Sequence, residues 1–177
     1  MKKNHFNSFF ADSKFIRYFS FRLTPVAFVV LALAVAFCTS DKDLYKRYRK
    51  FPEATFTLNG SEVENNRLKD AAKLFNSGKY DQALTAFTNF LQNDQPNNIE
   101  VRYYLALCQL ELGNTGYARQ VLTNFADSGS DFATDANWFL ALTYLREENH
   151  MACKQRLALI PVDNKHYKDA QKLLKSL

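Results

Sequence analysis

Side chains of the same type recur every 35 residues along most of this chain, and this repetition is the strongest constraint on its fold. Two columns hold small residues, two hold large apolar residues and a fifth is led by glycine: Ala71/Ala106/Ala141, Ala83/Ala118/Cys153, Phe87/Leu122/Leu157, Phe90/Phe125/Ile160 and Gly78/Gly113/Glu148. Five columns in one register over three units indicate an internal repeat. The sequence therefore predicts stacked copies of one small structural unit.

Each unit has the pattern of a helical hairpin. Apolar residues recur at helical spacing before Gly78, from Leu68 to Phe75, and again after it, from Ala83 to Leu91. Glycine takes the left-handed backbone conformation at low cost, so Gly78 is predicted to end the first helix. A hairpin of about 35 residues cannot bury its own apolar faces, and the units are therefore expected to stack.

The residues in these columns resemble the tetratricopeptide repeat. The resemblance is carried by Gly78-Lys79-Tyr80-Asp81-Gln82-Ala83 with Phe87, by Tyr103-Tyr104-Leu105-Ala106 through Gly113 with Ala118, and by Trp138-Phe139-Leu140-Ala141 through Cys153. It covers residues 64 to about 161, and the third unit departs from the pattern because Glu148 and His150 replace Gly and Tyr. The resemblance implies an all-α helical-hairpin solenoid of three units, 64–98, 99–133 and 134–162.

The carboxyl-terminal residues 163–177 suit a capping helix, with Asp163 or Asn164 as its N-cap. Their apolar side chains fall on one side of that helix, with lysines outward: Tyr167, Ala170, Leu173 and Leu174. A polar outer face at the end of a stacked array keeps the array soluble.

Residues 23–38 form an apolar segment without a charged side chain, LTPVAFVVLALAVAFC. The formal net charge of +5 arises around this segment, because residues 64–177 carry 13 basic and 13 acidic side chains. A neutral repeat region argues against nucleic-acid binding. The chain is thus divided into a basic aromatic tail (1–22), the apolar membrane segment (23–40), a basic juxtamembrane linker (41–63), the repeats (64–162) and the capping helix (163–177).

The apolar segment has three interpretations. It is first an uncleaved transmembrane anchor, with Tyr45 and Tyr48 among its interfacial aromatic residues. Second, it is a secretory signal cleaved after Ala-Val-Ala at 34–36. Third, it is a lipoprotein signal with Cys38 as the lipid-carrying residue, although Phe37 stands where a small residue is normal. All three place the protein at a membrane or beyond it.

The first interpretation predicts a single-pass membrane protein that contacts the bilayer through residues 23–38. The short basic amino-terminal flank favours a cytoplasmic amino terminus, with the repeats outside the cytoplasm. The whole chain resembles membrane-anchored tetratricopeptide proteins of bacterial envelopes, which implies an inner-membrane location. A basic helix followed by an extended spacer is expected to connect the anchor with the repeats.

No motif of an enzyme, a cofactor site or a metal site is present in the sequence. His150 and Cys153 lie three residues apart, but one His and one Cys do not make a metal site. Cys108 and Cys153 suit small buried residues of a helical core, with a disulfide between them as the alternative. We expect a protein without catalytic activity, cofactor or metal.

The remaining candidate is a groove for a protein partner. In this repeat family the first helix of each hairpin lines the concave side, which by position implies Leu68, Phe75, Tyr103, Leu107, Trp138 and Leu142. The aromatic Tyr103 and Trp138 are the expected anchors, with helix-on-helix packing as the alternative role. The resulting hypothesis is a membrane-anchored scaffold or adaptor for protein–protein interaction. Alternatives are an accessory lipoprotein subunit of an assembly complex, a regulator of an enzyme or secretion channel in trans, and self-association.

Overall fold

The described part of the chain, residues 40–177 of a computed structural model, consists of helices and connecting loops without a β-strand. This confirms the all-α class predicted from the sequence. The eight helices of that part are α1 (Asp41–Tyr48), α2 (Glu62–Asn76), α3 (Tyr80–Asn93), α4 (Ile99–Leu112), α5 (Thr115–Ala126), α6 (Ala133–Arg146), α7 (His150–Ala158) and α8 (Tyr167–Ser176). The tail and the apolar segment predicted at 23–38 lie outside the described residues.

Local sequence signals set the ends of several helices. Ser61 caps α2 through a capping box, in which its side chain accepts from the Glu64 N–H while the Glu64 carboxylate accepts from the Ser61 N–H. Asn98 caps α4 by accepting from the Val101 N–H at 3.0 Å. Polar side chains at these positions satisfy N–H groups that have no partner within the helix.

Consecutive helices pack against one another from α2 to α8, and short turns join them in three pairs: α2/α3, α4/α5 and α6/α7. The pairs fall in the stretches where the sequence predicts the three units. Helix α8 follows α7, and α1 packs on α6, far from it in sequence. This arrangement is consistent with a helical solenoid.

The small-residue columns identified in the sequence lie in the core. Ala71, Ala106 and Ala141 are 1%, 0% and 0% exposed, and Ala83, Ala118 and Cys153 are all 0% exposed. The residues are on facing helices of each pair, where small side chains allow close approach. The large column of Phe87, Leu122 and Leu157 is also fully buried. The predicted register is thus the register of the core.

The glycine-led column marks a left-handed turn in every pair. Gly78 has φ +76°, Gly113 has φ +94°, and Glu148 has φ +58°. The predicted left-handed turn at Gly78 is confirmed. The third turn keeps the same conformation although its residue is not glycine, so the departure from the repeat pattern is accommodated by strain at Glu148.

The capping helix begins later than the sequence predicts. Helix α8 starts at Tyr167, and neither Asp163 nor Asn164 is its N-cap. Asn164 instead accepts a hydrogen bond from the His166 N–H at 2.8 Å within a turn that precedes the helix. The inward face is as predicted, because Ala170 and Leu173 are both fully buried.

Between Ser40 and Leu177 there is no helix with the length and apolarity needed to cross a membrane.

We predict that Glu148→Gly raises the free energy of unfolding by about 0.5–1 kcal/mol, because glycine removes the left-handed penalty at an exposed position. Urea denaturation followed by circular dichroism measures the change. The matched variant Gly113→Ala should lower stability by about 1 kcal/mol, since its Cβ would carry the penalty and lie 3.4 Å from Arg146 Nη2. A destabilised Glu148→Gly chain would contradict this account.

Candidate functional site

The segment before the repeats lies across the first helices of all three pairs. We call residues 41–58 the arm, and we call the side of α2, α4 and α6 that it contacts the first-helix surface. The arm comprises α1 and an irregular stretch that follows it. It contacts α2 through Asn76, α4 through Glu111 and α6 through Trp138. The first-helix surface is therefore already occupied by part of the same chain.

Helix α1 is attached by buried aromatic residues and by ion pairs at its edge. Tyr45 and Tyr48 are 6% and 7% exposed. The Tyr45 hydroxyl donates to Glu111 Oε2 at 3.0 Å, and Arg49 Nη1 lies 2.8 Å from Glu111 Oε1. The Arg146 guanidinium lies over the Tyr45 ring at 5.0 Å. One carboxylate of α4 thus binds two side chains of the arm.

Arg146 also connects α6 to the end of α4. Its Nη1 donates to the carbonyl oxygens of Leu110 and Glu111 in the last turn of α4. Carbonyl groups in that turn have no helical N–H to accept from, and a cation there is favourable. The same guanidinium therefore caps one helix and supports the Tyr45 ring of the arm.

Beyond α1 the arm is held by two phenylalanine rings. The Phe51 ring centroid lies 6.0 Å from Phe75, 5.5 Å from Tyr80 and 5.4 Å from Phe139. Phe51 therefore bridges the first and third helix pairs. Phe56 packs edge-on against Phe87 and Tyr104, with centroids 5.7 and 5.1 Å away. Aromatic pairs at these distances each contribute roughly 0.5–1.5 kcal/mol beyond area burial.

The backbone of the irregular stretch is recognised directly by side chains. Asn76 Oδ1 accepts from the Ala54 N–H at 2.7 Å, and Asn76 Nδ2 donates to the Ala54 carbonyl at 3.2 Å. The Tyr104 hydroxyl donates to the Glu53 carbonyl at 2.9 Å. Farther along, Glu100 accepts from both the N–H and the hydroxyl of Thr57. The Asn76 amide thus binds both the N–H and the C=O of one residue, as the backbone of a neighbouring β-strand would.

These contacts correct two expectations from the sequence. The linker after the basic helix is a stretch without regular structure, but it does more than connect two parts of the chain, because it is packed on the repeats. Tyr45 and Tyr48 are buried against α4 and α6, which does not match the membrane-interface position expected for them. Tyrosine side chains suit both a membrane interface and a protein core, and contacts with residues distant in sequence decide between the two.

All six residues predicted to line a partner groove are buried. Their exposed fractions are at most 2%: Leu68, Phe75, Tyr103, Leu107, Trp138 and Leu142. Phe75 contacts the arm through Phe51, and Trp138 contacts it through Tyr48 at 6.2 Å. Tyr103 packs between helices, with Phe125 and Phe132 at 5.5 and 4.8 Å. Partner binding by these six stays a prediction, and a partner would have to displace the arm to meet Phe75 or Trp138.

Trp138 belongs to a buried cluster that joins α6 to the turn before α8. Its ring stacks on the His166 ring at 5.0 Å and an interplanar angle of 8°. Asp135 lies beside them, with Oδ2 2.5 Å from Lys165 Nζ and Oδ1 3.4 Å from His166 Nε2. Burial alone would raise the pKa of Asp135, but the contacts with His166 and Lys165 outweigh it and lower the pKa. Trp138 is therefore held from both sides, by the arm and by the cluster.

Cys108 and Cys153 are free and fully buried, so the disulfide alternative is wrong. Burial raises the pKa of each thiol to about 12. A thiol with such a pKa is protonated at neutral pH and reacts slowly. Across residues 40–177 there is also no group of three His, Cys, Asp or Glu residues able to hold a metal ion.

An open cleft of about 800 Å³ lies on another side of the repeats, between α3, α4 and α5. Its apolar lining includes Leu91, Leu105 and Val121, and Arg102 is its one charged lining residue. Ile99 and Tyr117 at the cleft are 56% and 46% exposed. The arm does not cover this cleft, which leaves it accessible in the structure.

Sequence reasoning missed the arm as part of the site. Its buried or packed residues are Leu44, Tyr45, Tyr48, Phe51, Ala54 and Phe56. Four of them stand three residues apart, from 45 to 54, in a stretch otherwise rich in charged residues. That spacing is a usable signal for a segment with one buried side, although it does not identify the surface that buries it. No sequence pattern marked Asn76 and Glu111 as binding residues, because they bind the arm only by virtue of its position in the folded chain.

We predict that Asp135→Asn lowers the free energy of unfolding by about 1 kcal/mol at pH 7, because it removes a partly buried carboxylate from Lys165 and His166. A lowered folded-state pKa stabilises the fold above the unfolded value, about 3.9, and this contribution is lost as pH falls through the folded pKa. Urea titrations at pH 7, 5 and 3 should therefore show a smaller difference in stability between the two chains at pH 3 than at pH 7. Exposed Asp131, which forms no ion pair within residues 40–177, provides the control Asp131→Asn. A difference that persists undiminished at pH 3 would contradict the assignment.

We predict that Asn76→Ala loosens the arm without loosening the repeats, because it removes both hydrogen bonds to Ala54. A net hydrogen bond of about 1 kcal/mol corresponds to roughly a fivefold change in local opening. Hydrogen exchange of the Ala54 amide should accelerate by at least that factor, while the amides of α4 stay unchanged. Ser77→Ala, which removes a neighbouring side chain that contacts only its own helix, is the control. Equal exchange in both variants would show that Asn76 does not hold the arm.

Comparison with known proteins supplies no relative for this site. No protein-family model matches the chain, and no curated protein or solved structure matches it significantly. The proposed function therefore rests on the contacts of the arm and of the repeats.

Proposed function

We propose that this protein is a membrane-anchored scaffold of tetratricopeptide type that recruits a protein partner. In this proposal the three helix pairs are three repeat units, α8 is their capping helix, and residues 23–38 are the anchor. The repeats lie outside the cytoplasm. The protein provides a binding surface and no catalysis.

The carrying observation is that the first-helix surface binds an irregular segment of polypeptide. Side chains from the first helix of each pair contact the arm, with Asn76 on its backbone, Glu111 on its charged and hydroxyl groups, and Phe139 on its apolar side, and Tyr80 and Phe87 of α3 add aromatic contacts. A surface with these three kinds of contact has what peptide recognition requires. This supports the binding of protein segments as the activity of the repeats.

The 35-residue register supports the repeat assignment. Its two small-residue columns and the column of Phe87, Leu122 and Leu157 are buried in all three pairs, and its turn column is left-handed in all three. Stacking of equal units creates an extended surface along the array, which is the usual use of such folds. The basic flanks of the apolar segment support its proposed place at a membrane.

The scaffold proposal predicts that exposed positions on the repeats lie next to a partner in the cell. A photo-crosslinking amino acid is placed in the full-length chain at the edge of the first-helix surface, at Leu112 next to Glu111 or at Met151 next to His150, which binds Asp41 of the arm; these positions are 42% and 74% exposed. At least one position should give a discrete protein adduct that sediments with membranes. Val162, 76% exposed in the turn before α8, provides the background control. A chain that sediments with membranes but gives no adduct above this control would overturn the proposal.

A further inference from the structure

Besides Leu44, which is 1% exposed, the arm buries a series of side chains at regular steps. Tyr45, Tyr48, Phe51 and Ala54 follow one another at intervals of three residues. Tyr45, Tyr48 and Ala54 are 4–7% exposed, and Phe51 is half-buried among three aromatic rings. The pattern is three aromatic residues followed by one small residue. A side chain larger than Ala54 would have to displace its buried neighbours while Asn76 holds its backbone.

We propose that the arm is a displaceable occupant of the first-helix surface, and that the partner is a protein segment with the same chemistry. That segment carries aromatic side chains at three-residue steps, then a small residue, with Lys or Arg between them. It replaces the arm and makes the arm's contacts in trans. This inference rests on the proposed scaffold function and names the class of partner.

Charge complementarity supports a basic segment. The arm carries five Lys and Arg against three acidic residues. It meets Glu111, which binds Arg49 at 2.8 Å, and Glu100, which binds Thr57. Both carboxylates belong to α4, at opposite ends of the helix. An acidic segment would place its charges against these two carboxylates, whereas a basic residue at the position of Arg49 repeats the observed pairing with Glu111; at the other end of the arm, Asp41 Oδ2 lies 2.7 Å from His150 Nε2.

The arm is attached more weakly than the repeats are to each other. From Arg49 to Gly60 its backbone has no regular structure, and few of its backbone groups pair with the repeats. Helix α1 has eight residues, too few to be stable alone in water. By contrast, every helix from α2 to α7 packs on the next. Segments with few hydrogen bonds and few packed neighbours open before the rest of a fold, so the arm can leave as a unit.

Because Asn59 and Gly60 connect the arm to the repeats, the arm competes strongly with any free segment for the first-helix surface. A tethered segment has an effective concentration in the millimolar range, so a free segment of equal affinity binds the intact protein weakly. Weakening the tethered arm should therefore strengthen binding in trans.

The test uses the purified full-length chain in detergent and a fluorescent synthetic peptide of residues 41–58. Phe51→Ala weakens the arm and leaves the first-helix surface intact; Leu58→Ala, an exposed arm position, is the matched control. Fluorescence anisotropy should show the peptide binding Phe51→Ala at least tenfold more tightly than wild type, with Leu58→Ala close to wild type. A peptide with Ser at the positions of Tyr45, Tyr48 and Phe51 should not bind. Equal binding to wild type and to a folded Phe51→Ala chain, or equal binding of the Ser peptide, would overturn the proposal.

Hydrogen exchange on the wild-type chain gives a second, independent test if Phe51→Ala does not fold. The amides of Ala54 and Thr57, which donate to Asn76 and Glu100, should exchange at least 100-fold faster than the amides of Leu105 and Leu107 in α4. Equal rates would mean that the arm opens only when the whole fold unfolds. That result would overturn the proposal whatever the variant does.

The same experiments separate this inference from the scaffold proposal. Peptide exchange without any crosslinked partner in cells would leave the arm displaceable and remove the scaffold function. A crosslinked partner without peptide exchange would keep the scaffold function and overturn the displaceable arm. Sedimentation of the wild-type chain identifies another occupant: a dimer that the peptide of residues 41–58 dissociates would assign the surface to a second copy and overturn a heterologous partner.

Discussion

The need to bury the aromatic faces of α2, α4 and α6 governs this structure. Three short helix pairs stack in one register, yet their first helices still present Phe75, Phe139 and Trp138 on the side that has no further layer of repeats. The arm covers that side with Tyr48 and Phe51. Without such a cover a contiguous apolar patch would be exposed, which soluble domains rarely tolerate. Stability and occupancy of the first-helix surface are therefore coupled.

This coupling connects the fold to its proposed function. In the proposed function, the first-helix surface stays covered throughout, and a partner binds by replacing the arm with a segment of similar chemistry. Polar contacts make the exchange selective, because Glu111 and Asn76 would lose their partners beneath a segment that did not reproduce them.

Much of the repeat architecture could be predicted from the sequence. The spacing of Ala71, Ala106 and Ala141 predicted close helix pairs, and Gly78 predicted a left-handed turn, since both depend on local geometry and side-chain size. The start of α8 was predicted too early, because Asn164 was used by a turn before the helix. The six predicted groove residues are all buried, and partner binding by them stays a prediction. The contacts of the arm with Phe75 and Trp138 were missed, because periodicity does not reveal which segment lies opposite.

The sequence by itself determined the all-α class, the 35-residue register and the left-handed turn at Gly78, because each follows from side-chain size and backbone preference within one unit. Only the tertiary structure decided that Tyr45, Tyr48 and Phe51 pack on the repeats. Their contacts join residues up to about a hundred positions apart, such as Tyr48 and Trp138. A basic aromatic stretch has the same local pattern on a membrane surface or on a protein. The aromatic rings and carboxylates that the fold assembles from α2, α4 and α6 give it a place to bind.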